Sequence, residues 1–250
     1  MRHKSTVIII QARFGSTRLP GKIMKKLRGH PMIWHVVERC RGSKEADKVV
    51  VAITTSKDDD RVAQFLDKHG IDYYRGPSED VLLRYLQAAK ASKAKVIVRV
   101  TADCPFIDHK IIDLCIKKFR RCQCDYISNV VPGQRTFPRG LDVEVFSFAA
   151  LEKSAKEVKE HYEREHVTPF MWENKKGEFS IGPTVTASPD YARKYRLTVD
   201  YPEDFLLIEK MYGEFYKPGK IVDVREIISF LDRNPKIAAL NTHCVQKSIK

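Results

Sequence analysis

The sequence predicts an α/β fold with a parallel, doubly wound central sheet, and three observations carry that prediction. Short apolar runs alternate with stretches of helical spacing from residue 7 to residue 101. The runs at 7–10, 48–54 and 95–101 are rich in Val and Ile, as strands buried on both faces are. Alternation of this kind closes most readily as strand–helix–strand crossovers, which place helices on the faces of a parallel sheet. The 250 residues, 43% hydrophobic and 31% charged, suit a single well-packed body. No Pro/Ser/Gly-rich linker, internal repeat or low-complexity segment divides them. One domain over 1–250 is expected, with about 131–190 forming a lobe beside the ligand crevice.

The first strand, 7–10, is apolar throughout. Residues 31–40 place apolar side chains at helical spacing behind a proline suited to a first turn. Residues 48–54 form the second strand. Residues 58–69 follow as a helix with acids in its first turn, Lys68 and His69 in its last, and Gly70 as its stop. Residues 71–74 are a short third strand. Ser78 then reads as the N-cap of an amphipathic helix over 81–91, and 95–101 is the fourth strand. Beyond it the pattern loosens. A helix is expected over 108–119, a strand over 125–130, a loop over 132–140, and an alternating strand over 141–146. Helices at 147–158 and 162–173, strands at 179–185 and 195–199, and helices at 202–216 and 222–240 complete the chain.

The first strand empties into Gln11-Ala12-Arg13-Phe14-Gly15-Ser16-Thr17-Arg18-Leu19-Pro20-Gly21-Lys22. Gly15 and Gly21 let the backbone take positive φ or approach a ligand closely. Exposed amides, hydroxyls and the cations Arg13, Arg18 and Lys22 can converge on one anion, most simply a polyphosphate. Ligands of open α/β sheets bind outside the carboxyl ends of the strands, where this loop falls; the competing reading is a basic surface loop. It is not a Walker A loop. Five residues separate Gly15 from Gly21, and Ile23 stands where a Mg²⁺-binding Ser or Thr would be needed.

The net charge of +13 fits a polyanionic ligand and fits nucleic acid equally, so it does not choose. The cations are dispersed, and no basic face with stacking aromatics stands out. Cys40, Cys104, Cys115, Cys122, Cys124 and Cys244 include no Cys-x-x-Cys pair, which argues against zinc. Without a secretory signal they are expected as free thiols in a reducing cytosol. The apolar start at Val7 is too short for a membrane span, and a cytoplasmic protein without membrane insertion is expected.

Two aspartates end strands near the loop. Asp103, in Thr101-Ala102-Asp103-Cys104-Pro105, suits a Mg²⁺ ligand beside phosphates, or a cap before the Pro105 turn. Asp200 precedes a helix opened by Pro202 and admits the same two readings. Together the two carboxylates can hold one or two Mg²⁺ ions. Glu203 and Asp204 read as first-turn helix acids. Arg139, Asp142 and Glu144 lie where a polar loop meets a strand. Asp142 and Glu144, two apart, would share one face, either toward a ligand or toward solvent. Asn129 is expected to border the same pocket. Glu165 and His166 are further candidates, with His166 either a base titrating near neutral pH or a packed histidine. Arg75, Ser78, Arg99 and Thr101 lie near strand ends on the side of the anion loop.

At these residues the sequence resembles the cytidylyltransferases that activate sugars, most nearly the branch named for spore coat polysaccharide biosynthesis protein F, related to CMP-KDO synthetase and acylneuraminate cytidylyltransferase. The shared segments are the loop from Gln11 to Lys22, Asp103-Cys104-Pro105, Gly140-Leu141-Asp142-Val143-Glu144, Arg164-Glu165-His166-Val167-Thr168-Pro169 and Thr198-Val199-Asp200. Ala102 replaces a glycine usual in that family. The resemblance implies a Rossmann-like α/β/α sandwich of the nucleotide-diphospho-sugar transferase type with a mostly parallel sheet. It implies CTP and a sugar-type acceptor as partners, pyrophosphate release, Mg²⁺ on Asp103 and Asp200, a homodimer and no nucleic acid. Gln11, Ala12, Arg13, Gly15, Ser16, Arg18, Lys22, Arg75, Arg99 and Thr101 would take the nucleotide, with Arg13, Lys22, Asp103 and Asp200 catalytic. Asn129, Arg139, Asp142, Glu144, Glu165 and His166 would take the acceptor. The alternatives are a glycosyltransferase on the same fold, which lacks support from an Asp-x-Asp motif at Asp103, and a non-catalytic nucleotide- or nucleic-acid-binding protein.

Overall fold

A computed structural model describes residues 5–246. In chain order its strands are β1 (Thr6–Gln11), β2 (Lys26–Leu27), β3 (His30–Pro31), β4 (Lys48–Thr54), β5 (Tyr73–Gly76), β6 (Val96–Thr101), β7 (Tyr126–Ser128) and β8 (Glu144–Ser147). Its helices are α1 (Met32–Arg41), α2 (Asp60–Lys68), α3 (Val81–Ala91), α4 (His109–Cys122), α5 (Phe148–Glu157), α6 (His161–His166), α7 (Pro169–Glu173), α8 (Pro202–Phe215), α9 (Val224–Arg233) and α10 (Pro235–Ala238). Six strands form one sheet in the order β5-β4-β1-β6-β8-β7, while β2 and β3 pair separately. β1, β4, β5 and β6 run parallel; β8 is antiparallel to both β6 and β7.

Val7, Ile8, Ile9 and Ile10 are all fully buried because β1 is central and covered on both faces. Successive strand residues point to opposite faces. Ile8, Ile10, Val51, Ile53, Val98 and Val100 therefore join one core with α1, α2, α4, α8 and α9. Val7, Ile9, Val50, Ala52 and Ile97 join the other with α3, α5 and α7. The result is the three-layer sandwich, with helices on each side of a mostly parallel sheet. Register then sets the site: Gln11 at the end of β1 lies opposite Thr101 at the end of β6. The loop after Gln11 and the turn carrying Asp103 leave the same sheet edge side by side.

Several boundaries differ from the sequence expectation. The α3 cap is Asp80, whose carboxylate accepts from the Leu83 amide at 2.9 Å, and Ser78 instead offers its carbonyl to Arg84. The helix expected over 162–173 is two short helices, broken where Val167 takes φ 71 and Pro169 opens α7. The strand over 125–130 shortens to β7, and the strand over 141–146 begins only at Glu144. Residues 179–185 and 195–199 make only isolated bridges, Ile181 with Tyr126 of the three-residue β7 and Arg196 with Arg139 of a loop. The last expected helix breaks at Asn234-Pro235. Cys40, Cys104, Cys115 and Cys244 are free, but Cys122 and Cys124 are disulfide-bonded: Gln123, at φ 52 and ψ 34, turns the chain so that their Cα atoms lie 5.3 Å apart. Among the described residues no helix is long and apolar enough to cross a membrane.

Candidate active site

The loop after β1 folds back on itself. The Gly21 amide donates to the Phe14 carbonyl at 3.2 Å, and the Phe14 amide donates to Asp59 Oδ1 at 2.6 Å. Asp59 is buried and also accepts from the amide and hydroxyl of Thr54, so the end of β4 anchors the loop. Gly21 has φ 66, and a Cβ there would meet the Phe14 ring at 2.9 Å, so both the turn and the close approach require glycine. Gly15 does not take positive φ and has open space around it.

The loop delivers Lys22 to two carboxylates. Its Nζ lies 3.0 Å from Asp103 Oδ2, 3.1 Å from Asp200 Oδ1 and 2.6 Å from the Val199 carbonyl. Burial pulls the ammonium toward neutrality, but the two carboxylates outweigh it and its pKa is raised. Burial likewise opposes ionisation of Asp103, yet Lys22 and the Thr101 hydroxyl, 2.6 Å away, hold its carboxyl below the usual range. Asp200 is buried and further ion-paired: Arg18 reaches Oδ1 at 2.8 Å and Arg196 reaches Oδ2 at 2.8 Å. Asp204 binds Arg196 and accepts the Asp200 amide at 2.9 Å, which fixes the end of this segment at the opening of α8. Val199 donates its amide to the Asp103 carbonyl at 2.8 Å, so the two aspartate-bearing turns are stitched together.

This geometry fits a hard divalent cation. Two carboxylates from separate segments already converge on one compact positive group, and the Asp103 side chain remains 27% exposed. Mg²⁺ binds through one or two carboxylates and fills its remaining positions with water and substrate phosphate. Among the described residues, the group of three clustered ligands is elsewhere, at Glu203, His243 and Cys244.

A cleft of about 1100 Å³ opens over these groups. It is lined by Gln11, Ala12, Arg13, Gly15, Ser16, Arg18, Lys22, Arg99, Thr101, Asp103 and Asp200, and equally by Arg139, Asp142, Glu144, Glu165 and His166. The structure thus brings most of the candidates from both lists into one concavity. Two candidates fall outside the lining. Arg75 is turned to Asp60 at 2.7 Å and to the carbonyls of Thr54 and Ser56, tying β5 to the start of α2. Asn129 is fully buried, its side chain bridging the Leu141 carbonyl at 2.7 Å and the Val143 amide at 2.9 Å.

Asp142 and Glu144 both line the cleft but differ in state. Asp142 is held by both arms of Arg135, at 2.5 and 3.0 Å. Glu144 is buried and accepts from Tyr126 at 2.7 Å, from Thr168 at 2.6 Å and from Arg99. Burial alone would lower the Arg99 pKa, but Glu144 reverses this and keeps the guanidinium charged. Arg135, Tyr126, Thr168 and Trp172 line the cleft without having been singled out from the sequence. Thr168 lies inside the family-like segment Arg164–Pro169 and was findable there, whereas Arg135 lies in the polar loop ahead of Gly140–Glu144. Tyr126 and Trp172 read as ordinary strand and helix residues and carry no local signal.

With this geometry in hand, the chain matches the cytidylyltransferase family model over residues 7–224. It is 34% identical to spore coat polysaccharide biosynthesis protein SpsF of Bacillus subtilis, over 93% of this chain and 96% of that protein. The solved structure of a cytidylyltransferase from Leptospira borgpetersenii superposes with a TM-score of 0.87 at 35% identity, covering 98% of this chain and 100% of that one. The structure of CMP:2-keto-3-deoxy-manno-octonic acid synthetase complexed with CTP shares the fold, with a TM-score of 0.66 at 18% identity over 84% of this chain and 99% of that one. The chain belongs to the cytidylyltransferase family, a group of CTP-dependent nucleotidyltransferases.

Proposed function

We propose that this protein transfers CMP from CTP to a hydroxyl of a sugar or sugar-acid acceptor and releases pyrophosphate. The observation that carries the reading is the convergence of the Arg13–Lys22 loop on Asp103 and Asp200 at the carboxyl edge of the sheet. An oxygen of the acceptor attacks the α-phosphorus of CTP in line with the bond to the β-phosphate. The new O–P bond forms as that bond breaks, and the hydroxyl proton leaves to solvent. Negative charge grows on the α-phosphate oxygens and on the departing pyrophosphate, so catalysis is positioning and electrostatics. Arg13, Arg18 and Lys22 hold the phosphates, with Ser16 and loop amides adding hydrogen bonds. Asp103 and Asp200 hold Mg²⁺, which when bound supplies polarisation of the α-phosphate. Arg139, Asp142, Glu165 and His166 face the acceptor.

The name of the Bacillus subtilis relative, a spore coat polysaccharide biosynthesis protein, supports placing the product in polysaccharide biosynthesis. The test is pyrophosphate release with Mg²⁺, each of the four nucleoside triphosphates in turn, and a pool of sugars and sugar acids. Release with CTP and one acceptor is the expected result. Release that needs no acceptor, or stabilisation by every triphosphate except CTP, would overturn it.

A further inference from the structure

Glu144 is read from the sequence as an acceptor ligand, yet its oxygens are already engaged. Oε1 accepts from the Tyr126 hydroxyl at 2.7 Å and from the Thr168 hydroxyl at 2.6 Å, and Oε2 accepts from Arg99. The residue is 4% exposed. Arg99 passes the connection on, its Nη2 donating to Gln11 Oε1 at 3.2 Å, and Gln11 is the last residue before the phosphate-type loop. Arg99 Nε is buried without a partner, and among the described residues Glu144 is the guanidinium's one anionic contact.

On the other side, Thr168 follows an unusual backbone. Val167 takes φ 71 and ψ −50, and the Thr168 amide donates to the His166 carbonyl at 2.9 Å, which closes a γ-turn. A buried β-branched residue does not hold such a conformation unless its surroundings over-determine it. The Val167 side chain is locked in the core with α3 and α5, its amide donates to the Glu163 carbonyl at 2.9 Å, and Thr168 is fastened to Glu144. The turn aims both His166 and Thr168 into the cleft.

We infer that Glu144 is a positioning residue that couples the CTP side of the cleft, through Arg99 and Gln11, to its acceptor side, through Thr168 and the Val167 turn. This rests on the proposed assignment of those two sides. One carboxylate holds both ends, so loosening it disturbs both substrates, whereas an acceptor ligand would disturb one.

The test compares Glu144→Gln with Thr168→Val, which removes one donor and leaves the Arg99–Glu144 pair in place should the first variant fold poorly. Hydrogen exchange is read without any ligand. Glu144→Gln is expected to speed exchange about tenfold or more in both 11–18 and 163–171, and Thr168→Val in 163–171 alone. In turnover, Thr168→Val raises the KM for the acceptor about tenfold with the KM for CTP nearly unchanged, and Glu144→Gln raises both. Faster exchange confined to one side in Glu144→Gln, or a rise in acceptor KM alone, would overturn the inference. Absence of turnover in the wild-type protein would count against the proposed function only, because ligand-free exchange decides the coupling by itself.

Discussion

Residues 6–101 and residues 129–173 both line the cleft, but they reach it by different means. The first set leaves parallel strands whose ladders fix every end: Gln11 opposite Thr101 on one side and opposite Ala52 on the other. The second set hangs on side chains. Asn129 clamps the Leu141–Val143 backbone, Arg135 holds Asp142, Glu144 collects three donors, and Val167 sits at positive φ. A wall held by a sheet tolerates loss of one side chain in place, so substitutions there read out chemistry. A wall held by individual side chains loses its shape with them, so substitutions there read out geometry first.

The largest effects should come from the aspartates. Asp103→Asn and Asp200→Asn are each expected to lower pyrophosphate release by at least about 10²–10³-fold, the order seen when a group stabilising transition-state charge is removed. They should differ in stability. Asp200 pairs with Arg18, Lys22 and Arg196; in its absence Lys22 keeps Asp103 and Arg196 keeps Asp204, so the loss of these charged hydrogen bonds should cost about 1.5–3 kcal/mol. Asp103 is partly exposed and its variant should melt close to wild type. Full activity of either variant at saturating Mg²⁺ would sink the metal assignment. Next is Gly140→Ala on the second wall. Gly140 has φ 94, and a Cβ would lie 2.5 Å from the Leu197 carbonyl carbon and 2.6 Å from the Thr198 nitrogen. Backbone cannot yield as a side-chain tip can, so a loss of about 2–3 kcal/mol is expected by urea titration. A neutral result would show that this wall is softer than its hydrogen bonds imply.

His35 probes the support behind the first wall. Its ring is buried against Tyr212 and Tyr216 with Nε2 2.8 Å from the Leu27 carbonyl, and burial lowers its pKa from near 6.5 to about 4. The folded state therefore refuses a proton that the unfolded chain accepts. Its contribution is complete above pH 6.5 and is lost as pH falls toward 4, by up to about 3 kcal/mol. His35→Gln should flatten that part of the stability–pH curve, measured by urea unfolding at intervals between pH 4 and 7. An unchanged slope would assign the acid sensitivity to other groups.

The same contrast explains what could be read in advance. Burial on both faces made β1, β4 and β6 apolar runs, and the phosphate-type loop had to begin where β1 ended, so the first wall was legible from pattern alone. The second wall depends on backbone that no periodicity marks. Nothing in the residues around Val167 announces a γ-turn, and Val is a poor choice for positive φ, so a continuous helix over 162–173 was the natural reading. Glu144 was legible as important but not in its role, because the donors that engage it come from β6, β7 and the turn before α7.

Arg75 gives the smallest expected effect and the sharpest limit on the first wall. It lies at a strand end, as Arg99 does, and by sequence the two are equivalent candidates for the nucleotide. The structure separates them. Arg99 lines the cleft beside Glu144 with its side chain 16% exposed, whereas Arg75 is about one-third exposed and turned to Asp60, itself half exposed. Exposed ion pairs contribute roughly 0–1 kcal/mol. Arg75→Ala should therefore shift stability by about 0.5 kcal/mol or less and leave the KM for CTP within about twofold of wild type. A tenfold rise in that KM, with stability unchanged, would mean that Arg75 swings from Asp60 to the nucleotide on binding, and that the first wall extends one strand further across the sheet than the ligand-free geometry places it.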